Sequence, residues 1–260
     1  MDKKLQLIAK REIQMRLHSA MFVGMFLSFV LLVALAPWII KIEDTSHSQT
    51  AGAIDSSTIS ILFIVYGILI SSCTLLSYGL IEEKASAVID ILVSSVRPET
   101  ILRGKILGIT FLTLVEMTLL STIGYISSYL KSKESLSISP QFVVLAILFL
   151  APAIVITSFS VASISFRIKK VEEMGILQLP LLLSLAGCLF MGVFTMFSAG
   201  SRVSEIGRWI PVASTFVSPI LFQKSEISNF GLLLSLLTAG AFAMATVKIS
   251  TRSFLLQAVR

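Results

Sequence analysis

The stretch LIEEKASAVIDILVSSVRPETILRGKILGI, residues 80–109, places a charged segment between two long apolar runs. The run before it, Thr58–Ile81, and the run after it, Ile106–Leu130, are each long enough to cross the roughly 30 Å hydrocarbon core of a bilayer as a helix. A polar segment bounded in this way connects two membrane-spanning helices. The fold therefore depends on how many further apolar runs the chain contains.

The rest of the chain indicates an integral membrane protein. Its 260 residues are 55% hydrophobic and 14% charged, against about 25% charged in soluble domains. Helices are expected because lipid cannot satisfy exposed backbone polar groups. We predict an all-α protein with six transmembrane helices, of which the other four are Ala20–Ile40, Phe142–Phe166, Gly175–Ala199 and Phe230–Val247.

The distribution of basic residues predicts the orientation of these spans. Most of the 21 lysines and arginines lie before the first span or after the second, fourth and sixth spans. Basic residues that flank spans are enriched on the cytoplasmic side of a membrane. We expect a multi-pass protein of the cell membrane with both termini cytoplasmic. The net charge of +6 then reflects orientation and does not indicate a nucleic-acid partner.

Residues 1–19 predict an amphipathic helix that lies along the cytoplasmic membrane surface. Leu5, Ile8 and Ile13 fall broadly on one side of this helix, although Glu12 and Arg16 interrupt the apolar face. A disordered basic tail is the alternative. We expect residues 248–260 to form a cytoplasmic tail at the other terminus.

The longest connection on the outer side, residues 200–229, has an apolar middle that contains two prolines. Pro211 and Pro219 disfavour one continuous helix, so we predict short, re-entrant-like pieces in the outer interface. Trp209 suits that interface because its ring is amphipathic. An ordinary surface loop is the alternative.

The charged loop 82–105 predicts a protein-binding element on the cytoplasmic side. Glu82 and Glu83 end the second span, and a short apolar helix follows from Ala85. Pro98 ends this helix. A second short segment around Ile101 and Leu102 then leads to the third span. An amphipathic helix lying flat on the membrane is the alternative, but its acidic residues favour a protein partner over anionic lipid.

This loop resembles the cytoplasmic loop between the second and third spans of ABC-2 type transporter permeases. It is closest to the loop of the sodium-exporting members, although the large extracytoplasmic domain of those proteins is missing. In the family this loop contains a coupling helix that docks on the ATPase subunit. The matching positions are Glu82, Glu83, Lys84, Asp90, Leu92, Ser94, Ser95, Pro98, Gly104 and Lys105.

The resemblance implies an ABC-2 type permease fold in residues 20–247 and a function in ATP-driven export. The chain has no G-x-x-x-x-G-K-[ST] sequence, which binds the phosphates of ATP in P-loop proteins. We therefore expect ATP and Mg²⁺ to bind to a separate ATPase subunit, and we expect no cofactor and no catalytic residue in this chain. The expected partners are two copies of the ATPase, a second permease subunit that is identical or homologous to this one, and membrane lipid. A membrane scaffold or assembly factor without transport activity is the alternative.

Glu116 is the only carboxylate within the predicted spans. A charge there is unfavourable unless it faces protein or water, so Glu116 is a candidate for the substrate path or the dimer interface. A neutral carboxyl that hydrogen-bonds a neighbouring helix is the alternative. An intramembrane metalloenzyme is disfavoured, because His18 and His47 are the only histidines and lie near opposite membrane surfaces.

Overall fold

The computed structural model describes residues 3–39, 56–85, 98–132, 140–165 and 174–258. These residues form helices and no strands, which confirms the predicted all-α fold. The helices are α1 Lys3–Leu17, α2 Ala20–Ile39, α3 Ser56–Ala85, α4 Pro98–Ser132, α5 Pro140–Ser165, α6 Met174–Phe197, α7 Arg202–Gly207, α8 Ser214–Gln223 and α9 Asn229–Ala258.

Five of these helices are long and apolar enough to span a membrane. They contain the segments Ile61–Glu83, Thr100–Ser127, Gln141–Ser165, Gln178–Phe197 and Asn229–Ile249. The remaining predicted span corresponds to α2, which follows α1 at a bend of 66°. Counting the bent pair α1–α2 as one span gives six, in agreement with the hydropathy pattern.

Helical structure enters the predicted loop 82–105 from both sides. Helix α3 continues to Ala85, and α4 is one helix from Pro98 through the third span. The separate segment expected around Ile101 and Leu102 is therefore wrong: these residues belong to the first turns of α4 and are buried. Because these side chains are buried against the bundle, the first turns of α4 are more stable than a short, exposed helix would be.

Helix α3 lies at the centre of the bundle. Ile68, Leu69 and Leu76 of α3 are completely buried and belong to the main core cluster, together with Leu120 of α4 and Leu150 of α5. Of the most apolar stretch of each span, 61% is buried in α3 but only 17% in α9. The outward faces of the peripheral helices must therefore meet lipid or another protein.

Successive spans run in opposite directions, so the bundle has two distinct ends. We call the end that holds α1, the end of α3 and the start of α4 the α1 end. The opposite end, which holds α7 and α8, is the α8 end. Residues far apart in sequence meet at each of these ends, and both are described below.

Candidate functional site

The predicted docking loop is bracketed by the last turn of α3 and the first turn of α4. Glu82 is exposed, whereas Glu83 is buried; the backbone of Lys84 continues α3. Pro98 is the first residue of α4, a position that suits its fixed φ and its missing N–H group. The predicted docking residues Asp90, Leu92 and Ser94, with Ser95, lie outside the described residues.

Four charged side chains form a buried cluster at the base of this loop. The Lys105 Nζ atom of α4 lies 2.7 Å from Glu83 Oε2 of α3 and 3.6 Å from Glu12 Oε2 of α1. Arg16 Nε donates to Glu12 Oε1 at 2.9 Å. Lys105 is 3% exposed, Glu12 5%, Arg16 7% and Glu83 9%. The cluster joins three helices that approach from different parts of the sequence.

The order of the charges explains why the cluster can be buried. The charges alternate in sign from one contact to the next, in the order Arg16, Glu12, Lys105 and Glu83. Each carboxylate therefore lies next to a cation. Removing charges from water is unfavourable, and only close pairing compensates for it. Glu12 and Arg16 interrupt the apolar face of α1 in the sequence. In the structure, Glu12 links α1 to Lys105 of α4, and Arg16 pairs with Glu12 within α1.

Two glycines of α4 allow α1 to approach closely. A Cβ atom on Gly104 would lie 2.8 Å from Ile8 Cγ2, and one on Gly108 would lie 3.0 Å from the Ala9 carbonyl oxygen. Glycines spaced four residues apart form a flat surface on which another helix packs. Gly104 and Lys105, predicted to act in ATPase coupling, therefore also hold α1 through packing and charge.

Replacing Gly108 with valine is expected to displace α1 from α4. The new side chain would press on the backbone of Ala9, and overpacking of this kind costs about 1–3 kcal/mol. Limited trypsin digestion should then cleave after Arg16, which is buried in the native protein. Gly79→Val is the matched control, since a Cβ on Gly79 has open space around it. Equal digestion of the two variants would contradict the packing role.

A second polar contact joins the spans towards the α1 end. Ser77 of α3 lies within hydrogen-bond distance of Ser165 of α5, with 2.9 Å between the two Oγ atoms. Gln178 Nε2 of α6 also donates to Ser77 Oγ. All three side chains are buried. The three buried polar side chains therefore serve as links between α3, α5 and α6.

Glu116 is buried inside α4, one turn after Thr113. Thr113 Oγ1 lies 2.9 Å from Ser72 Oγ of α3, so this part of α4 faces the bundle. No residue in the described ranges gives the Glu116 carboxylate a hydrogen bond or an ion pair. Nor do three or more metal-ligating side chains cluster there or elsewhere in the described residues.

At the other end of the bundle, α8 is enclosed by the spanning helices. Every residue of Ser214–Leu221 is buried. Thr215 Oγ1 donates to the Phe149 carbonyl oxygen of α5 at 3.1 Å. The Oγ atoms of Ser218 and Ser235 lie 3.4 Å apart and join α8 to α9. Hydroxyl groups therefore connect α8 to both neighbouring helices.

Helix α6 closes the remaining side of α8. A Cβ atom on Gly192 would lie 2.7 Å from Phe216 Cβ, so the two backbones are in close contact. Lys224, at the C-terminus of α8, donates to the Met196 carbonyl near the end of α6. A cation at this position also compensates the negative end of the α6 dipole.

Segment 200–229 consists of two short helices, but only one of its two prolines lies at the break. Trp209 and Pro211 lie in the turn between α7 and α8, and the Arg208 guanidinium stacks 5.1 Å from the centre of the Trp209 ring. Pro219 lies inside α8, which continues past it to Gln223. The interruption inferred for Pro219 is therefore wrong, because burial of the whole helix outweighs the hydrogen bond that proline removes.

The sequence reasoning missed the roles of three residues at the α1 end. From the sequence alone, Glu12 and Arg16 are visible only as departures from amphipathicity, and Gly108 has no predicted role. The i, i+4 spacing of Glu12 and Arg16 permits an ion pair on a helix. The G-K-I-L-G sequence at residues 104–108 is a small-xxx-small pattern. Both signals were present, but neither identifies its partner helix.

The comparison with known families agrees with this architecture. The family model for the ABC-2 family transporter protein matches residues 37–252, which include every spanning helix from α3 to α9. It also includes Glu83 and Lys105, whereas Glu12 and Arg16 precede the matched region. No curated protein matches the chain.

Proposed function

Since the chain belongs to the ABC-2 transporter family, we propose that it is the permease subunit of an exporter driven by a separate ATPase. The family match makes the chain a transmembrane permease of an ABC transporter. The export direction, the ATPase partner and the residues that couple the two subunits are proposed. ATP and Mg²⁺ would bind to the partner subunit.

The observation that best supports ATPase coupling is the pairing of the two ends of the loop. Glu83 at the end of α3 and Lys105 near the start of α4 are 2.7 Å apart and buried. Because Glu12 also contacts Lys105, a force applied to the loop would reach α1, α3 and α4 together. A loop tied in this way suits the transmission of movement between subunits.

We propose that the loop docks on the ATPase through Glu82, Lys84, Asp90, Leu92 and Ser94. Glu83, Pro98, Gly104 and Lys105 would hold its base. Closure of an ATPase pair on ATP would favour one of two arrangements of the permease, which is a shift of population by differential binding. Rigid-body rotation of packed helices is a common form of such a change.

The proposed assembly contains two ATPase subunits and two permease subunits, which are identical or homologous. The outward faces of α6 and α9 are the candidate surfaces for contact between the two permeases. Leu183 and Phe190 of α6 are 69% and 71% exposed, and Phe230 of α9 is 74% exposed. Such surfaces are stable against lipid or a second permease and unfavourable in water. Glu116 remains a candidate for the substrate path or the interface between permeases.

The proposed orientation places the α1 end in the cytoplasm and the α8 end outside. The basic residues before α2 and after α3, α5 and α9 support this orientation through the positive-inside rule. Both termini would then be cytoplasmic. The docking loop would lie on the side where ATP is available, and α7 with α8 would lie at the outer mouth, near Trp209.

Replacing Leu92 with aspartate is expected to weaken the binding of the ATPase at least tenfold. An unpaired carboxylate in an apolar contact costs well over 1.4 kcal/mol, and each 1.4 kcal/mol corresponds to a factor of about ten in affinity. The measurement is a pull-down of the tagged chain in mild detergent, followed by mass spectrometry and an ATPase assay. An ATPase should co-purify with the unmodified chain and be lost from the variant.

Leu7→Asp is the matched control, because Leu7 is 70% exposed on α1 at the same end of the protein. This control introduces the same charge outside the proposed docking loop and should retain the ATPase. Equal retention in the Leu92→Asp variant would exclude the loop as the docking site. Absence of an ATPase from every sample would favour the scaffold function instead.

A further inference from the structure

The α8 end contains an open cavity with a mixed polar and apolar lining, which the proposed coupling to an ATPase does not use. Its volume is about 590 Å³, which is within the range of small-molecule sites. Three amide side chains line it: Gln141 at the start of α5, Gln223 at the end of α8 and Asn229 at the start of α9. Ser225 and Ser228 also belong to the lining and add hydroxyl groups to it.

The cavity has an apolar side as well. Phe142 and Ile227 line it and are 2% and 7% exposed, and Phe222 adds a half-buried ring. None of the described lining residues carries a formal charge. Amides and hydroxyls both donate and accept hydrogen bonds, and the described part of the lining offers no counter-charge to an ion. The lining therefore fits a neutral, hydroxyl-rich ligand with an apolar face.

The position of the cavity along the spans points to a lipid. Two candidate spans begin at residues of its lining, Gln141 in α5 and Asn229 in α9. The cavity thus lies where the apolar helices end, which is the level of the lipid headgroups. A headgroup can enter it while the acyl chains remain against the exposed apolar side chains of α9.

Ser225 has an unusual backbone conformation at the wall of the cavity. Its φ of 58° is in the left-handed region, where glycine is preferred. The Ser225 N–H donates to the Phe222 carbonyl at 3.0 Å, and the Glu226 N–H donates to the Leu221 carbonyl at 2.9 Å. These two bonds form a Schellman motif, in which glycine would be favoured at position 225. A strained serine that lines a cavity is the kind of outlier found at functional sites.

We propose that this cavity binds the neutral glycosyl headgroup of a membrane lipid. The amides of Gln223 and Asn229 and the hydroxyl of Ser225 would bond the sugar hydroxyls, and Phe142 and Phe222 would contact its C–H face. Binding requires no ATPase. Its test can therefore fail or succeed independently of the proposed exporter function.

The test measures lipid retention by the full chain in phosphatidylcholine nanodiscs that contain equal small amounts of diglucosyldiacylglycerol and phosphatidylglycerol. Native mass spectrometry counts the lipids that remain bound after release from the nanodisc. We expect preferential retention of the glycolipid and its loss in the Gln223→Met, Asn229→Leu double variant. Gln14→Met removes an exposed amide of α1, at the α1 end, and should leave retention unchanged.

Ser225→Gly separates binding from folding. This variant should be at least as thermally stable as the unmodified chain, because glycine suits the left-handed conformation. It should nevertheless retain glycolipid about two- to tenfold less strongly, the effect of one neutral hydrogen bond. Unchanged retention in this variant and in the double variant would overturn the proposal.

Two further outcomes address the source of the ligand. Free maltose, added to nanodiscs that lack glycolipid, should not raise the apparent melting temperature. Stabilisation by maltose equal to that by the glycolipid would instead identify a soluble ligand and overturn the lipid assignment. Equal retention of phosphatidylglycerol and glycolipid would contradict the selectivity for a neutral headgroup.

Discussion

Replacing Lys105 with methionine is expected to lower the free energy of unfolding by about 3–5 kcal/mol. Lys105 is the cation between the buried carboxylates of Glu12 and Glu83. Methionine has a similar length but leaves Glu83 without this ion pair, and Glu12 with Arg16 alone. The loss of one partner from a buried ion pair is strongly destabilising. The measurement is thermal unfolding of the purified protein, monitored by size-exclusion chromatography with fluorescence detection.

Lys10→Met is the matched control, because Lys10 is exposed on α1 and carries the same charge. Its effect should be within about 0.5 kcal/mol, as for most surface substitutions. A double-mutant cycle with Glu83→Gln separates the ion pair from other effects of the substitution. The double variant should be less destabilised than the sum of the single variants, because the same ion pair cannot be lost twice. Strict additivity would rule out a direct interaction between Lys105 and Glu83.

The second large effect is expected at Gly192, where α6 contacts α8. Replacing Gly192 with valine would drive a branched side chain into Phe216, because a Cβ atom at position 192 would lie 2.7 Å from the Cβ atom of Phe216. Backbone movement is required, because the contact involves the first side-chain atom of Phe216. We expect a destabilisation of about 1–3 kcal/mol or more and partial displacement of α8.

The displacement of α8 can be followed by cysteine labelling. In a background with Cys73 and Cys188 replaced by alanine, Ser218→Cys reports on α8 because Ser218 is fully buried. A maleimide reagent should label this cysteine faster when Gly192→Val is present. Gly187→Val, five residues earlier on α6 and in open space, is the control. Equally slow labelling in the Gly192→Val and Gly187→Val variants would show that a valine at position 192 fits without displacing α8.

The spanning helices could be predicted because their signal is local. A run such as Phe142–Phe166 has the length and composition of a span whatever surrounds it, and α5 follows it closely. The break between α7 and α8 was also readable, since Pro211 and its neighbours disfavour a helix. Pro219 obeys the same local rule, yet the packing of α8 between three helices outweighs it.

The candidate site was less predictable because it depends on contacts between distant segments. Gly104 and Lys105 were identified through a family resemblance, but their contacts with Ile8 and Glu12 were not. The sequence indicates that Glu12 is a charge on an apolar face, and it does not indicate which helix supplies the opposite charge. The left-handed Ser225 gives no signal at all, since serine is not the residue that this conformation favours.

The buried charge cluster also sets an order of events during synthesis. Glu12 and Arg16 leave the ribosome early, but Lys105 follows roughly 5–20 s later at ordinary translation rates of about 5–20 residues per second. Until then α1 has no surface on which to bury these charges, and it must wait in water or in the lipid headgroups. The first span is therefore inserted before its preceding helix is fixed in place. The arrival of α4 at the membrane completes the N-terminal part of the fold.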